Sequence, residues 1–284
     1  MRKHESKIPR AFAEGILVEA LAEGKLSTVS GMKQIKDLTI LKFVRTSTIL
    51  HELFLNILRN SKAGKIRIGP WISKGIKEVI SDQLIKTNTC LGYLMLTVPL
   101  AIASLEIGAS SPEQIVLKAS EIIKVYGSQE SASKIYEAIR IASPSYSNKY
   151  DGPIPDIKIT ETNVSFYDII NISKHWDIVA FELYNGYPYT IKAIKFLRKY
   201  NTIHEDLLQA VAKSHIDLSS IIIDTSLSKG FGLMWGSIVR YMIYEEKQKN
   251  NILLLDKWLR ENALNLGSIS DILAAATALN LLSD

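Results

Sequence analysis

Residues 87–105 read TNTCLGYLMLTVPLAIASL, nineteen residues without a charge between Lys86 and Glu106, in a chain that is 22% charged. Such a window is a membrane span, a buried core helix, or one wall of a polar site. A span needs about 20 predominantly apolar residues, whereas this one opens on Thr87, Asn88 and Thr89 and carries Thr97, Pro99 and Ser104. Its apolar part is too short. The window therefore reads as a helix through the middle of a domain, capped at its start by threonine or asparagine and bent near Pro99.

Outward from it, apolar residues recur at helical intervals almost everywhere. RAFAEGILVEALAEG places Phe12, Ile16 and Ala20 on one face with Leu17 and Leu21 beside it, and LKFVRTSTILHELFLNILRN repeats the pattern with Phe43, Ile49, Leu53 and Ile57. In SSPEQIVLKASEIIKVYG, Ser111 stands as a cap, Pro112 at the first helical position and Gly127 past the end. The pattern breaks at PSYSNKYDGPIPDIKITETN, residues 144–163, which holds three of the eight prolines and reads as one long loop. Within it only PDIKIT, 155–160, alternates like a short strand. Helical spacing then resumes to the end of the chain. With no helix–strand alternation and no repeat at a fixed period, residues 1–284 read as a single compact all-α domain of roughly ten helices.

At 284 residues and 47% hydrophobic the chain is globular, and its net charge of +5 suits a polyanionic small molecule as well as RNA. Nucleic acid ranks last, since only KIRIGPW at 65–71 interleaves basic and aromatic residues. The lone cysteine, Cys90, excludes an intrachain disulfide, and the five histidines show no metal-ligand spacing. A reducing, cytoplasmic setting is expected, as MRKHESKIPRAFAEG does not look like a secretory signal. There is no P-loop and no nucleophile elbow, and the glycines of GFGLMWG, spaced GxGxxxG, suit helix packing better than a pyrophosphate cradle.

What remains are five polar islands set in apolar helices: LSTVSGMKQIKD (26–37), TNTCLGYLMLTVPLA (87–101), HWDIVAFELYNGY (175–187), DTSLSKGFG (224–232) and LNLGSISDILAAA (264–276). Their order and spacing resemble the triphosphoribosyl-dephospho-CoA synthase family (CitG/MdcB type), in particular its divergent, archaeal-looking branch. The resemblance rests on NTxLG followed by PLA, here Asn88, Thr89, Leu91, Gly92 and Pro99–Ala101. It rests also on LNPGSxAD, here Leu264, Asn265, Gly267, Ser268 and Asp271. The chain departs from the family where PKPGxV becomes STVSGM, where Cys90 replaces the histidine after NT, and where Leu266 replaces the proline of NPG.

The resemblance implies a transferase in which a ribose hydroxyl of dephospho-CoA displaces adenine from the anomeric carbon of ATP, with Mg²⁺ and basic residues holding the triphosphate. Carboxylates in apolar helices suit the proton transfers and the charge on the reacting ribose, which points to Asp177, Asp224 and Glu182 as catalytic and to Asp224 and Asp271 as metal ligands. Asp177 and Glu182 lie about 140° apart on a helix, so at most one of them points directly at a substrate; Asp177 has the apolar neighbours, and Glu182 reads as a solvated face residue. SISD at 268–271 is also a capping box. Nucleotide binding falls to Asn88, Thr89 and Gly92, to Thr225, Lys229 and Gly230, and to Asn265, Gly267 and Ser268. A helix start at Asn88 is both a cap and an anion site. ATP and a dephospho-CoA-like acceptor are the expected partners, with no membrane; a homodimer stays open. The reading from another class is a non-catalytic nucleotide-binding or interaction protein that keeps the fold.

Overall fold

The computed structural model describes residues 3–108, 110–142, 152–158, 162–201, 206–249 and 251–283. Along them run α1 (Lys3–Leu21), α2 (Ile40–Lys62), α3 (Gly69–Ser81), α4 (Leu91–Ile107), α5 (Pro112–Tyr126), α6 (Gln129–Ala142) and α7 (Phe166–Ser173). The second half carries α8 (Ile178–Asn185), α9 (Pro188–Tyr200), α10 (Leu207–Ile221), α11 (Thr225–Phe231), α12 (Leu233–Gln248), α13 (Ile252–Glu261) and α14 (Gly267–Ser283). No strand forms among the described residues. The expected loop and its strand-like stretch lie partly outside them, and 152–158 are bends and turns.

The all-α reading holds, but the described residues form fourteen helices where roughly ten were expected. The excess has local causes. FYDIINISKHWDIVAFELYNG is two helices because Asp177 turns extended and starts α8, accepting a hydrogen bond from Ala180 N at 2.8 Å. At Gly232, φ is +104°, a left-handed backbone that separates α11 from α12. At α5 the punctuation is present, Ser111 and Gln114 closing a capping box, whereas Ser268 of SISD lies inside α14 and not at its cap.

The charge-free window is α4. Its helix begins three residues after Asn88, runs unbroken through Pro99, and is buried on nearly every side. An isolated apolar helix of this kind belongs in the centre of a core. Tyr93 donates its hydroxyl to the Phe12 carbonyl, and Tyr187 donates to the Leu96 carbonyl at 3.0 Å, so the polar atoms taken inside are satisfied. Among the described residues no single helix is long and apolar enough to cross a membrane.

α14 is the second central helix and packs on α1, α9, α4 and α10. Its closest approach is to α1, where a Cβ on Gly15 would lie 2.7 Å from the Ala274 carbonyl oxygen and 2.7 Å from Ala278 Cβ. Small residues on both helices bring the backbones together. A smaller cluster of Leu26, Leu227, Val239, Ile243, Leu255, Leu259, Leu264 and Leu266 joins the 22–38 loop to α11, α12 and α13. The loop is pinned there by Asp256, which accepts from Ser27 N at 2.8 Å and pairs with Lys33 and Arg260.

The Gly15 contact makes a direct prediction. Gly15→Val should destabilise the protein by about 1–3 kcal/mol through overpacking and lower its Tm by roughly 3–10 °C. Gly230→Ala, with open space around the added Cβ, should leave the Tm within about 1 °C. Thermal melts followed by circular dichroism compare the two, and equal Tm values would refute the close packing.

Candidate active site

A cleft of about 370 Å³ opens at the seam between the two hydrophobic clusters, where the N-terminal ends of α4, α8, α11 and α14 converge. Of the residues singled out in the sequence, Asn88, Thr89, Gly92, Asp177, Lys229, Gly230, Asn265, Gly267, Ser268 and Asp271 line it. Asp224, Thr225 and Glu182 are not on its wall.

Each helix start is held by a specific bond. Asn88 Oδ1 accepts from Cys90 N at 3.2 Å and Leu91 N at 3.0 Å, capping α4 from two residues before its N-cap position. Thr89 Oγ1 meets Thr46 Oγ1 at 2.7 Å and ties that turn to α2. Thr225 Oγ1 accepts from Ile178 N at 3.0 Å, linking α11 to α8, and Ser226 N donates to Ser268 Oγ at 3.2 Å, linking α11 to α14. Asp224, only 2% exposed, is the bracket behind the wall. One of its oxygens accepts from Ser226 Oγ at 2.6 Å and Leu227 N at 3.0 Å, and the other from Ile269 N at 3.1 Å.

Glu182 departs from expectation. It is fully buried rather than solvated, because it closes the first turn of α9. It accepts from Tyr189 N and Thr190 N at 2.8 Å each and from Thr190 Oγ1 at 2.6 Å. Burial raises its pKa to about 7 against those three hydrogen bonds.

Two carboxylates on the cleft wall are driven in opposite directions. Burial acts to raise the pKa of Asp177, but the Lys229 ammonium against its Oδ2, with the N–H groups of Ala180 and Val179, outweighs burial and holds it below the usual range. Among the described residues no cation pairs with Asp271. Burial raises its pKa well above the carboxylate range, and the charges of Glu19, Asp224 and Asp177 push it further, opposed by a hydrogen bond from the Tyr93 backbone. Asp271 lies so close to α4 that a Cβ on Gly92 would sit 2.2 Å from its Oδ2, which accounts for glycine there. Cys90, in the position after NT, is a buried thiol whose pKa is raised by burial and by Asp271, so it is not a poised nucleophile.

Sequence reading did not single out Glu19, Thr28, Lys36, Asp37 or Ser270, all of which line the cleft. Glu19 carried a signal: it stands three residues after Ile16 on the apolar face of α1, where a carboxylate needs a partner. That partner is Lys25, 1% exposed, whose ammonium reaches Glu19 Oε1 at 2.6 Å and the Glu19 carbonyl at 2.5 Å. The buried hydroxyls of Thr28 and Ser270 have no hydrogen-bond partner among the described residues. An unpaired buried hydroxyl on a cleft wall is a ready contact for a ligand.

Among the described residues no group of three His, Cys, Asp or Glu could hold a metal ion alone. Magnesium accompanying a triphosphate needs no such cage, since one or two carboxylates suffice with phosphate oxygens and water. Asp271, crowded by like charges on the cleft wall, fits that task. Asp224 does not, because both its oxygens are engaged and it is off the wall.

An all-helical fold with one polar cleft at converging helix starts has a counterpart among solved structures. The chain is similar to the crystal structure of a "putative triphosphoribosyl-dephospho-coA synthase" from Archaeoglobus fulgidus, with a TM-score of 0.66 and 18% sequence identity over 84% of this chain and 98% of that one. That likeness establishes the shared fold. The sequence model of the CitG family, described as ATP:dephospho-CoA triphosphoribosyl transferase, matches residues 5–284, and the chain belongs to that family. No protein with a curated description matches the sequence.

The opposed carboxylates give a stability test. A carboxyl whose folded pKa is raised binds its proton more tightly in the folded state, so stability is lost as pH rises from the unfolded pKa, about 4, toward the folded one. Asp271→Asn removes that loss while keeping an acceptor for the Tyr93 N–H. It should match wild type near pH 4 and melt higher by roughly 3 °C or more at pH 8. A variant less stable than wild type at pH 8 would refute the assignment.

Proposed function

We propose that the chain is an active member of its family, moving the triphosphoribosyl group of ATP onto a hydroxyl of a dephospho-CoA-like acceptor and releasing adenine. What carries the reading is one cleft that combines four helix starts and Lys229 with the carboxylates of Asp177, Asp271 and Glu19. The starts of α4 and α14 turn their positive dipole ends toward the cleft, where phosphates would lie. Lys229 holds Asp177 ionised and adds positive charge beside the phosphate path.

The reaction balances without an outside reagent. The bond from the anomeric carbon to adenine breaks with its electron pair going to the base, the acceptor oxygen bonds to that carbon, and the hydroxyl proton is the one adenine gains. Asp177, ionised and facing the cleft, stabilises the positive charge on the reacting ribose and takes up the hydroxyl proton. Asp271 would hold Mg²⁺ with the phosphate oxygens, and the ion would supply charge neutralisation there. Thr28 and Ser270 give the floor two hydroxyls for the sugar or base. Asp224 and Glu182 are assigned to positioning, since each is consumed by holding a helix start.

The test is adenine release from Mg²⁺-ATP and dephospho-CoA, followed by chromatography. Asp177→Asn should reduce the rate by about 10²-fold or more without lowering the Tm by more than a few degrees. Mg²⁺-ATP should raise the Tm more than AMP does, because the phosphates are what the helix starts recognise. Binding of ATP with no adenine released would favour the non-catalytic reading, which the buried Cys90 in place of histidine supports. Release that Asp177→Asn leaves unchanged would move the central role to another carboxylate.

A further inference from the structure

The outer face of α12 is apolar without serving the core. Its inner residues Val239 and Ile243 are buried in the smaller hydrophobic cluster. Met234, Trp235, Ile238, Tyr241 and Tyr244 are exposed, and Leu253 and Leu254 extend the surface onto α13. Tyr241 and Leu254 line one shallow groove between the two helices, shared with Glu245, Glu246 and Lys249. Along the exposed stripe of α12 the first charge is Glu245, one turn beyond Tyr241.

At about 200 Å² for a large side chain, the exposed fractions of these seven amount to roughly 800 Å² of apolar surface. The largest apolar patch on a typical monomer is about 300–600 Å², whereas a stable complex buries about 800 Å² per partner. The α12 stripe carries Met, Trp and Tyr, types enriched in interface cores, with the charges of Glu245, Glu246 and Lys249 at its border.

We propose that this surface is the isologous interface of a homodimer, with α12 of one copy crossing α12 of the other in antiparallel sense. The area matches one half of a standard interface, and a stripe with Ile238 near its middle is complementary to itself when reversed. The crossing also sets Glu245 of each copy toward the start of the other α12, the positive end of its helix dipole. Phe231, just before α12, lines the mouth of the cleft. The interface therefore lies beside the site, and the second copy shields that edge of the cleft from water. This inference does not rest on the proposed reaction.

Sedimentation equilibrium of the full chain at about 5–50 μM, where an interface of this size holds, should give twice the 31.7 kDa chain mass. Ile238→Glu, at the middle of the stripe, should give the monomer mass. Met234 and Leu253 are 75% and 77% exposed, so lysine at either leaves the fold intact. Met234→Lys and Leu253→Lys should each weaken the dimer by roughly tenfold or more, with an unchanged circular dichroism spectrum. Wild type at monomer mass throughout that range overturns the proposal, and so does monomeric protein that instead sediments with lipid vesicles. A dimer that survives both Ile238→Glu and Met234→Lys overturns it as well, since the copies would then meet elsewhere.

Discussion

The fold and the cleft both depend on how closely α1 approaches α14. Gly15 against Ala274 and Ala278 removes the side-chain layer that normally separates two helices. Close packing of this kind transmits displacements, because protein interiors have little free volume. The same two helices carry the floor of the cleft. Glu19 lies one turn beyond Gly15 on α1, and Asp271 lies three residues before Ala274 on α14, so the contact that closes the core also brings two carboxylates together. A wider helix separation would open the core and pull those groups apart in one motion.

Placing several acids in a low-dielectric seam is costly, and the chain offsets the cost unevenly. Glu19 is matched by the buried Lys25, Asp177 by Lys229, and Asp224 by backbone and hydroxyl donors at two helix starts. Against the repulsion of its neighbours, Asp271 receives a backbone donor from Tyr93. Under the proposed function, the group left uncompensated while the others are satisfied is where a cation or proton would bind. Helix starts and carboxylates also oppose each other in sign, so one cleft can hold a phosphate chain at one end and a developing positive charge at the other.

Much of this was legible in the sequence. The apolar window at 87–105 has no polar face, so it had to be central, and the four islands around Asn88, Asp177, Asp224 and Gly267 all fall at helix starts that meet at one cleft or directly behind it. Helix number was less legible. Periodicity carries through a break when apolar residues flank both sides, as at Lys174–Asp177 and Gly232. Glu182 misled because its exposure was inferred from neighbours along one helix, whereas its partners are the N–H groups of the next helix, α9.

From the sequence alone came the elements, the family resemblance and the residue types available to the cleft, because helical periodicity, capping residues and motif order are local properties of the chain. Tertiary structure alone decided which carboxylates share the cleft, which one Lys229 holds ionised, and which are spent on helix starts. Those outcomes depend on distances between residues tens to hundreds of positions apart, such as Asp177 with Lys229, Gly15 with Ala274, and Asp256 with Ser27. Desolvation and Coulomb terms act through space, and no local pattern encodes them.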